Sequence, residues 1–391
     1  MISKTSILNF STFCFFLLCS ISQTFAQQNV GFEDGTTANW TCESGTFGET
    51  KPADCDSKLP VVLTDGACQN QGGLDGTVNP VNYSQNRHTI MSQKNVKDPN
   101  SNNEVNVVAP AALFPSNTNN YSFRIGNAVG GDMSNPNNLA FAEGIKYTFI
   151  VTKENAGLTY MFAVFVKESA PVLHPLNMAP SFEIKLTDQA GTIIPCGYYQ
   201  LVAGSAFGLK DGLVDAYGTW KYADWKKIAL DLSGYIGQSV TIEFRTHDCF
   251  PSGTTTITKD SLHIDTVCTN WMAGSHAAYA YIDLYSTPVE ITAPSVCANQ
   301  TSVELCAPSG YATYQWPSGQ PGIVPPLNKQ CVTINNPKPG DMYTVNMTSI
   351  AGGCPTSAKV ALKGADFLIK DTSVCFYSGP FKLKATPITT G

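Results

Sequence analysis

Two carboxylates at opposite ends of the long N-terminal part of the chain have the most definite chemistry to offer. Glu33 lies in Gly31-Phe32-Glu33-Asp34-Gly35, shortly before Trp40, and Asp283 closes Tyr279-Ala280-Tyr281-Ile282-Asp283. Hard carboxylate oxygens suit Ca²⁺, which takes about six to eight oxygen ligands. A structural Ca²⁺ clamping the ends of a domain is therefore expected, with Glu33 and Asp283 as the two ligands that can be named. The aromatic residues Tyr198, Tyr199, Trp220, Tyr222, Trp225 and Trp271 could stack on sugar rings. Trp225 leads into Ile228-Ala229-Leu230-Asp231-Leu232, whose alternation reads as a core strand. Trp220, Tyr222 and Trp271 stand in loop-like contexts and are the ligand-binding candidates. His247-Asp248-Cys249 places an imidazole and a carboxylate beside a thiol. Read as part of a disulfide, Cys249 is inert. No GxSxG elbow, HExxH helix or phosphate-cradling loop occurs, no residue is assigned to catalysis, and a non-enzymatic role is expected.

Positioning these residues falls to an exported, cysteine-bearing chain. Lys4, the apolar run Ile7 to Leu18 and Thr24-Phe25-Ala26 make residues 1–26 a signal peptide. Cys14 and Cys19 leave with it, and eleven of the 13 cysteines remain. In an oxidising compartment these are disulfide candidates first. Strand placement pairs Cys196 with Cys249, Cys297 with Cys354 and Cys306 with Cys331. Cys42, Cys55, Cys68 and Cys268 supply two further bridges whose connectivity stays open. The net charge is -6 and only 14% of residues are charged, which excludes a protein built to coat nucleic acid.

Short segments rich in β-branched and aromatic residues, bounded by Gly, Pro, Asn and Asp, dominate the 391 residues. Examples are Thr159 to Val166 and Val240 to Phe244. The fold class is all-β, a β-sandwich at 27–289 followed by an Ig-like β-sandwich at 290–365. Stretches near 69–80, 93–104, 131–138 and 251–276 read as surface insertions. In the second unit, Cys297 and Cys354 bracket Tyr314-Gln315-Trp316, an Ig-like arrangement of a Trp near a bridge. Ser295-Val296-Cys297 recurs as Ser373-Val374-Cys375, a period of 78 residues, with Ala307 matched by Ala385. Residues 366–391 thus read as the start of a second, truncated copy, and the chain as the N-terminal piece of a longer protein.

Several of these motifs carry resemblances. Phe32-Glu33-Asp34-Gly35 with Trp40, and Tyr281-Ile282-Asp283, resemble the opening and closing strands of secreted jelly-roll modules. Those strands are neighbours in one sheet, which implies that the two carboxylates meet at its edge. Together with Arg87-His88-Thr89-Ile90-Met91, Ser122 to Asn127, Cys196-Gly197-Tyr198-Tyr199, Trp225 through Gln238, Asp248-Cys249 and His276 to Asp283, they make residues 27–289 similar to an N-terminal module of Bacteroidetes surface adhesins. Tyr343-Thr344-Val345 and Gly352-Gly353-Cys354 resemble the PKD or Ig-like repeats of their stalks. The set is closest in type to the SprB-like gliding-motility adhesins. The stretch 250–275 is longer than that family's short Gly-rich link. The resemblance implies a secreted protein on the outer cell surface. Its expected partners are a surface polysaccharide or substratum, the type IX secretion system and the gliding machinery. A second expectation from the same modules is a carbohydrate-binding N-terminal part of a secreted glycan-degrading enzyme.

Overall fold

The computed structural model describes residues 30–47, 61–66, 68, 87–128, 140–168, 179–204, 208–215, 218–249, 252–259, 264–272, 276–297, 300–349, 355–364, 367–369 and 385–387, with the backbone alone at 46–47, 61–62, 252–259, 264–272, 367–369 and 385–387. The signal peptide, Cys55, Cys354, Cys375 and the side chains of Cys268 and Trp271 lie outside the described residues.

Alternating sequences build one sandwich of two six-stranded antiparallel sheets. The first sheet runs β2 (Val61–Gly66), β1 (Trp40–Phe47), β5 (Ala140–Ile150), β11 (Ser239–His247), β7 (Ser181–Thr187) and β8 (Ile193–Val202). The second runs β3 (His88–Met91), β4 (Ser122–Gly126), β14 (Ala278–Thr287), β6 (Gly157–Glu168), β10 (Gly218–Asp231) and β9 (Lys210–Asp215). A separate hairpin pairs β12 (Ser252–Lys259) with β13 (Ile264–Met272). β11 shows why strands form here: Val240, Ile242 and Phe244 are fully buried between the sheets, while Thr241, Glu243 and Arg245 face away. Each such apolar side chain adds roughly 1.5–3 kcal/mol on burial.

β6 behaves differently, because both of its faces are buried. Leu158, Tyr160, Phe162, Val164 and Val166 fill the inter-sheet core. Ala163 and Phe165 on the other face lie in a second cluster with Val105, Val107, Val108, Trp220, Tyr222, Tyr279 and Tyr281. The cover is a strap, residues 92–114, laid across the outside of the second sheet. Asp98 anchors it. Its carboxylate accepts from Tyr279 OH at 2.9 Å, Tyr281 OH at 2.7 Å and Asn100 N at 2.7 Å.

The second unit is a smaller sandwich. One sheet pairs β15 (Ser302–Cys306) with β17 (Cys331–Asn335); the other runs β16 (Thr313–Gln315), β18 (Met342–Thr348) and β19 (Pro355–Ala361). Trp316, Tyr343, Leu305 and Ile334 are buried at its centre, and Trp316 Nε1 donates to Lys329 O at 2.9 Å. Beyond it, β20 (Phe367–Ile369) pairs with β21 (Ala385–Pro387) through Ile369↔Ala385. Displaced by 78 residues these are Ile291 and Ala307, the residues flanking the Thr292↔Cys306 bridge. The opening register of the second unit therefore recurs at β20–β21.

Two disulfides are formed between described residues. Cys42–Cys68 closes 26 residues at one edge of the first sheet, a loop whose closure contributes roughly 3 kcal/mol through the unfolded chain. Cys306–Cys331 joins directly opposed residues of β15 and β17, so it staples two strands of one sheet.

The other two expected pairings do not form. Cys196 is disulfide-bonded, but Cys249 is a buried thiol. Their strands explain this: Tyr198 of β8 lies opposite Lys185 of β7, and His247 of β11 opposite Ser181. Cys196 thus lies opposite the C-terminal end of β7, between the Lys185↔Tyr198 and Thr187↔Ile193 pairs, while Cys249 lies past the N-terminal end. At ~3.4 Å per residue they are separated by more than roughly 20 Å, against the ~4.4–6.8 Å between Cα atoms that a bridge requires. Cys297 is an exposed thiol. Its expected partner, Cys354, lies outside the described residues.

Candidate functional site

With the second sheet strapped over, the outward face of the first sheet is the open one. The register lines its side chains into two rows. In one, Asp65, Glu43, Gly144, Arg245, Glu183 and Gln200 succeed one another across all six strands. In the next, Thr41, Lys146, Glu243, Lys185 and Tyr198 do the same across five. Four acids and three bases thus share one face of a chain in which charge is scarce. They hold each other in place. Lys146 Nζ donates to Glu43 Oε1 at 3.1 Å and Asp65 Oδ1 at 2.7 Å. Arg245 Nε donates to Glu243 Oε1 at 2.7 Å, and Tyr198 OH donates to Glu183 Oε2 at 3.0 Å. Tyr198 keeps 46% of its surface exposed. An aromatic ring set among fixed donors and acceptors is the composition of a sugar-binding surface, where the ring meets the C–H face and the polar groups meet hydroxyls.

Glu43 is the unusual member. It is only 5% exposed and leans across Gly144, where a Cβ would lie 2.5 Å from Glu43 Oε2. That oxygen is buried without a hydrogen-bond partner among the described residues. Burial, and then the neighbouring Glu243 carboxyl, raise Glu43 from 4.5 to about 7, against the pull of Lys146. The folded protein therefore keeps a proton there that the unfolded chain releases near 4.5. Stability from this group falls as pH rises from 4.5 through about 7. His88 and His247 act oppositely. Burial lowers both to about 4, so their contribution is present above 6.5 and is lost as pH falls through 4. We expect Glu43→Gln to remove the first dependence alone. In urea unfolding the variant should gain about 1–3 kcal/mol over the parent near pH 8 and little near pH 5. An equal difference at both values would count against a proton retained on Glu43.

The structure relocates the residues singled out in the sequence. Trp220 and Tyr222 are 2% and 1% exposed, on the strapped face of β10, so neither can stack on a ligand. Trp225 is half-buried at the strap margin, its Nε1 donating to Asn106 O at 2.8 Å, within the register shift between Ala223 and Lys226. Asp283 lies not at a sheet edge but on β14, third of six strands, and is fully buried. Its Oδ2 accepts from Asn119 Nδ2 and Ser122 Oγ, both at 2.9 Å, and its Oδ1 from Leu284 N at 2.8 Å. Glu33 stands on an exposed turn rather than a strand, accepting from Asn120 Nδ2 at 3.1 Å. Adjacent residues of one loop thus hold one carboxylate each. Phe32 beside it is a core residue, 4.9 Å from the Trp40 ring and 5.0 Å from Phe123.

In the His247-Asp248-Cys249 corner, Asp248 and Cys249 are buried and His247 is half-buried. Cys249 Sγ lies 3.4 Å from His276 Nδ1, and burial, followed by the Asp248 charge, pushes the thiol up to about 12. That is the reverse of the depression an attacking thiolate needs.

No protein-family model matches the chain, and no curated protein matches it in sequence. Solved structures give distant likenesses. TmCBM61, in complex with beta-1,4-galactotriose, matches at TM-score 0.26 and 11% identity over 66% of this chain and 96% of its own. The adhesin domain of Epf from Streptococcus pyogenes matches at TM-score 0.19 and 8% identity over 88% and 96%. Bacteroides uniformis beta-glucuronidase 3 matches at TM-score 0.16 and 12% identity over 67% of this chain and 30% of its own. They assign the chain to no family.

Proposed function

We propose that this chain is a non-enzymatic cell-surface adhesin of the gliding-motility type, whose N-terminal sandwich contacts a substratum or surface polysaccharide. The reading takes the type IX secretion and gliding machineries as cellular partners and the outer surface as its location. The observation that carries it is the asymmetry of the two sheets. One is closed by the strap and by the second unit, while the other presents a six-strand polar face with Tyr198 exposed. The leader sequence and the recurring opening register of the Ig-like unit support display on a repeated stalk. Weak contacts of this kind gain strength from many copies per cell. Antibody to residues 27–289 should label intact cells, and a strain lacking the gene should attach or glide poorly. Label confined to the periplasm, or normal attachment and movement, overturns the adhesin. The intact chain should also bind glycans on an array, with signal reduced by Tyr198→Ala; no binding at all sinks the glycan reading.

The same reading includes a structural Ca²⁺. Asn119 Oδ1 supports it, being buried beside Asp283 without a partner among the described residues. Burial also raises Asp283 well above the usual carboxylate range, a cost that a cation would relieve. Asp283, Asn119 and, from the exposed side, Glu33 would hold the ion, and the ion would tie the opening turn to β14. Saturating Ca²⁺ should raise the melting midpoint of the intact chain by roughly 5–10 °C over chelator, and Asp283→Asn should abolish the difference. An unchanged midpoint removes the site.

A further inference from the structure

The second unit is seated on the first rather than strung from it. Ala229 of β10 belongs to the core of the second unit, Ser349 Oγ donates to Ala229 O, and Thr356 Oγ1 donates to Asp231 Oδ2 at 2.6 Å. Gly310, at φ +105°, touches the first unit so closely that a Cβ would lie 2.8 Å from Thr159 Oγ1 and 3.1 Å from Ala229 Cβ. Beside this seam opens a cleft of about 540 Å³, with Phe114 and Lys227 from the first unit facing Ser309, Tyr311, Tyr314 and Gln330 from the second. Its size falls within the ~300–1,000 Å³ of small-ligand sites, which favour domain junctions.

The chemistry of the lining is specific. Tyr311 and Tyr314 meet edge to face, with centroids 6.5 Å apart. Ser309 and Gln330 add a hydroxyl and an amide, the Gln330 Nε2 being committed to Ala307 O at 3.0 Å. Lys227 Nζ donates to Leu113 O at 2.6 Å and stands 5.4 Å from the centre of the Tyr285 ring. No carboxylate among the described residues forms an ion pair with it. Across Phe114 and Pro115 lies a neighbouring cavity of about 520 Å³ whose lining includes Glu33 and Glu154, a surface that would repel an anion. The junction cleft therefore combines aromatic faces, neutral hydrogen-bonding groups and a single unneutralised cation.

We propose that the junction cleft binds a short acidic oligosaccharide, with Lys227 taking the uronate carboxylate and the half-buried Tyr314 flanking the sugar rings. This deepens the glycan reading and rests on it, but uses a different surface from the open sheet. It makes the second unit half of a binding site as well as a stalk segment. A charge-assisted bond in a partly dehydrated cleft is stronger than its neutral counterpart, and the affinity falls as salt rises.

The test uses the intact chain, titrated calorimetrically with a tetra-uronate and with the matching neutral tetrasaccharide. The tetra-uronate should bind at least tenfold more tightly than the neutral probe. Lys227→Met should erase that preference, Lys227→Arg should keep most of it, and all three proteins should melt alike. Equal binding of the tetra-uronate by the parent and Lys227→Met overturns the cleft. If that binding is instead lost in Tyr198→Ala, the open face is the glycan site and the broader reading survives. Absence of binding by the parent to either probe also overturns the cleft, while the array of unrelated glycans decides the broader reading separately.

Discussion

Asp98→Ala is expected to destabilise the protein by about 2–4 kcal/mol and to loosen the strap from the second sheet. Asp98 is fully buried and accepts from two tyrosine hydroxyls and a backbone amide. Truncation leaves Tyr279 and Tyr281 with buried hydroxyls lacking their acceptor, each costing about 1–3 kcal/mol. The consequence is local as well as global, because Trp220 lies beneath this strap and Trp225 is bonded to it through Asn106 O. Tryptophan emission of the variant should shift to the red before the main unfolding transition. Asp98→Asn keeps an acceptor and a donor that hydroxyls can satisfy, and should lose less than half as much. An alanine variant with unchanged emission and midpoint would show that the strap is held by its apolar residues alone.

The strap also explains what could and could not be read from the sequence. The alternation in β11 and β7 was legible because each strand has one wet face, and the all-β class followed from it. The open face was legible in the same pattern, in the Glu243 and Arg245 that alternate with Ile242 and Phe244. Trp220 and Tyr222 were misread because a strand's own pattern does not disclose a cover supplied from more than a hundred residues away. The signal for that cover was present in two places. Thr159 to Val166 is apolar on both faces, which demands a second layer. Val105-Asn106-Val107-Val108, just past a stretch that reads as surface insertion, is too apolar to lie in water. The cysteine pairings failed for a related reason. Cys196 lies within β8 and Cys249 just past β11, and how far apart that puts them depends on the register of β7 against its two neighbours, a three-strand property. Cys306 and Cys331 are opposite each other in one ladder, a geometry that needs only a pair of strands.

Removing the guanidinium of Arg87 should have the larger effect. Arg87 lies at the end of the sandwich, its Nε donating to Glu143 Oε1 and its Nη2 to Gly45 O at 3.0 Å and Ala142 O at 2.9 Å, with the cation 4.6 Å from the centre of the Phe141 ring. Glu143 is 2% exposed, and its second oxygen accepts from Thr246 Oγ1 at 3.1 Å. Asp248, also buried, is raised well above the usual range by burial and then by the charge of Glu143. The corner thus holds two acids against one cation. Arg87→Met strands the Glu143 charge and two backbone carbonyls, and should cost about 3–5 kcal/mol in urea unfolding. The double change Arg87→Met with Glu143→Leu should recover at least half of that, because an apolar pair of similar volume needs no compensation. Non-additivity of this size is the signature of a buried pair rather than of two independent packing losses. If the losses simply add, the contribution of Arg87 is its contact with Phe141 and the carbonyls, and the ion pair is not what holds this end of the sandwich.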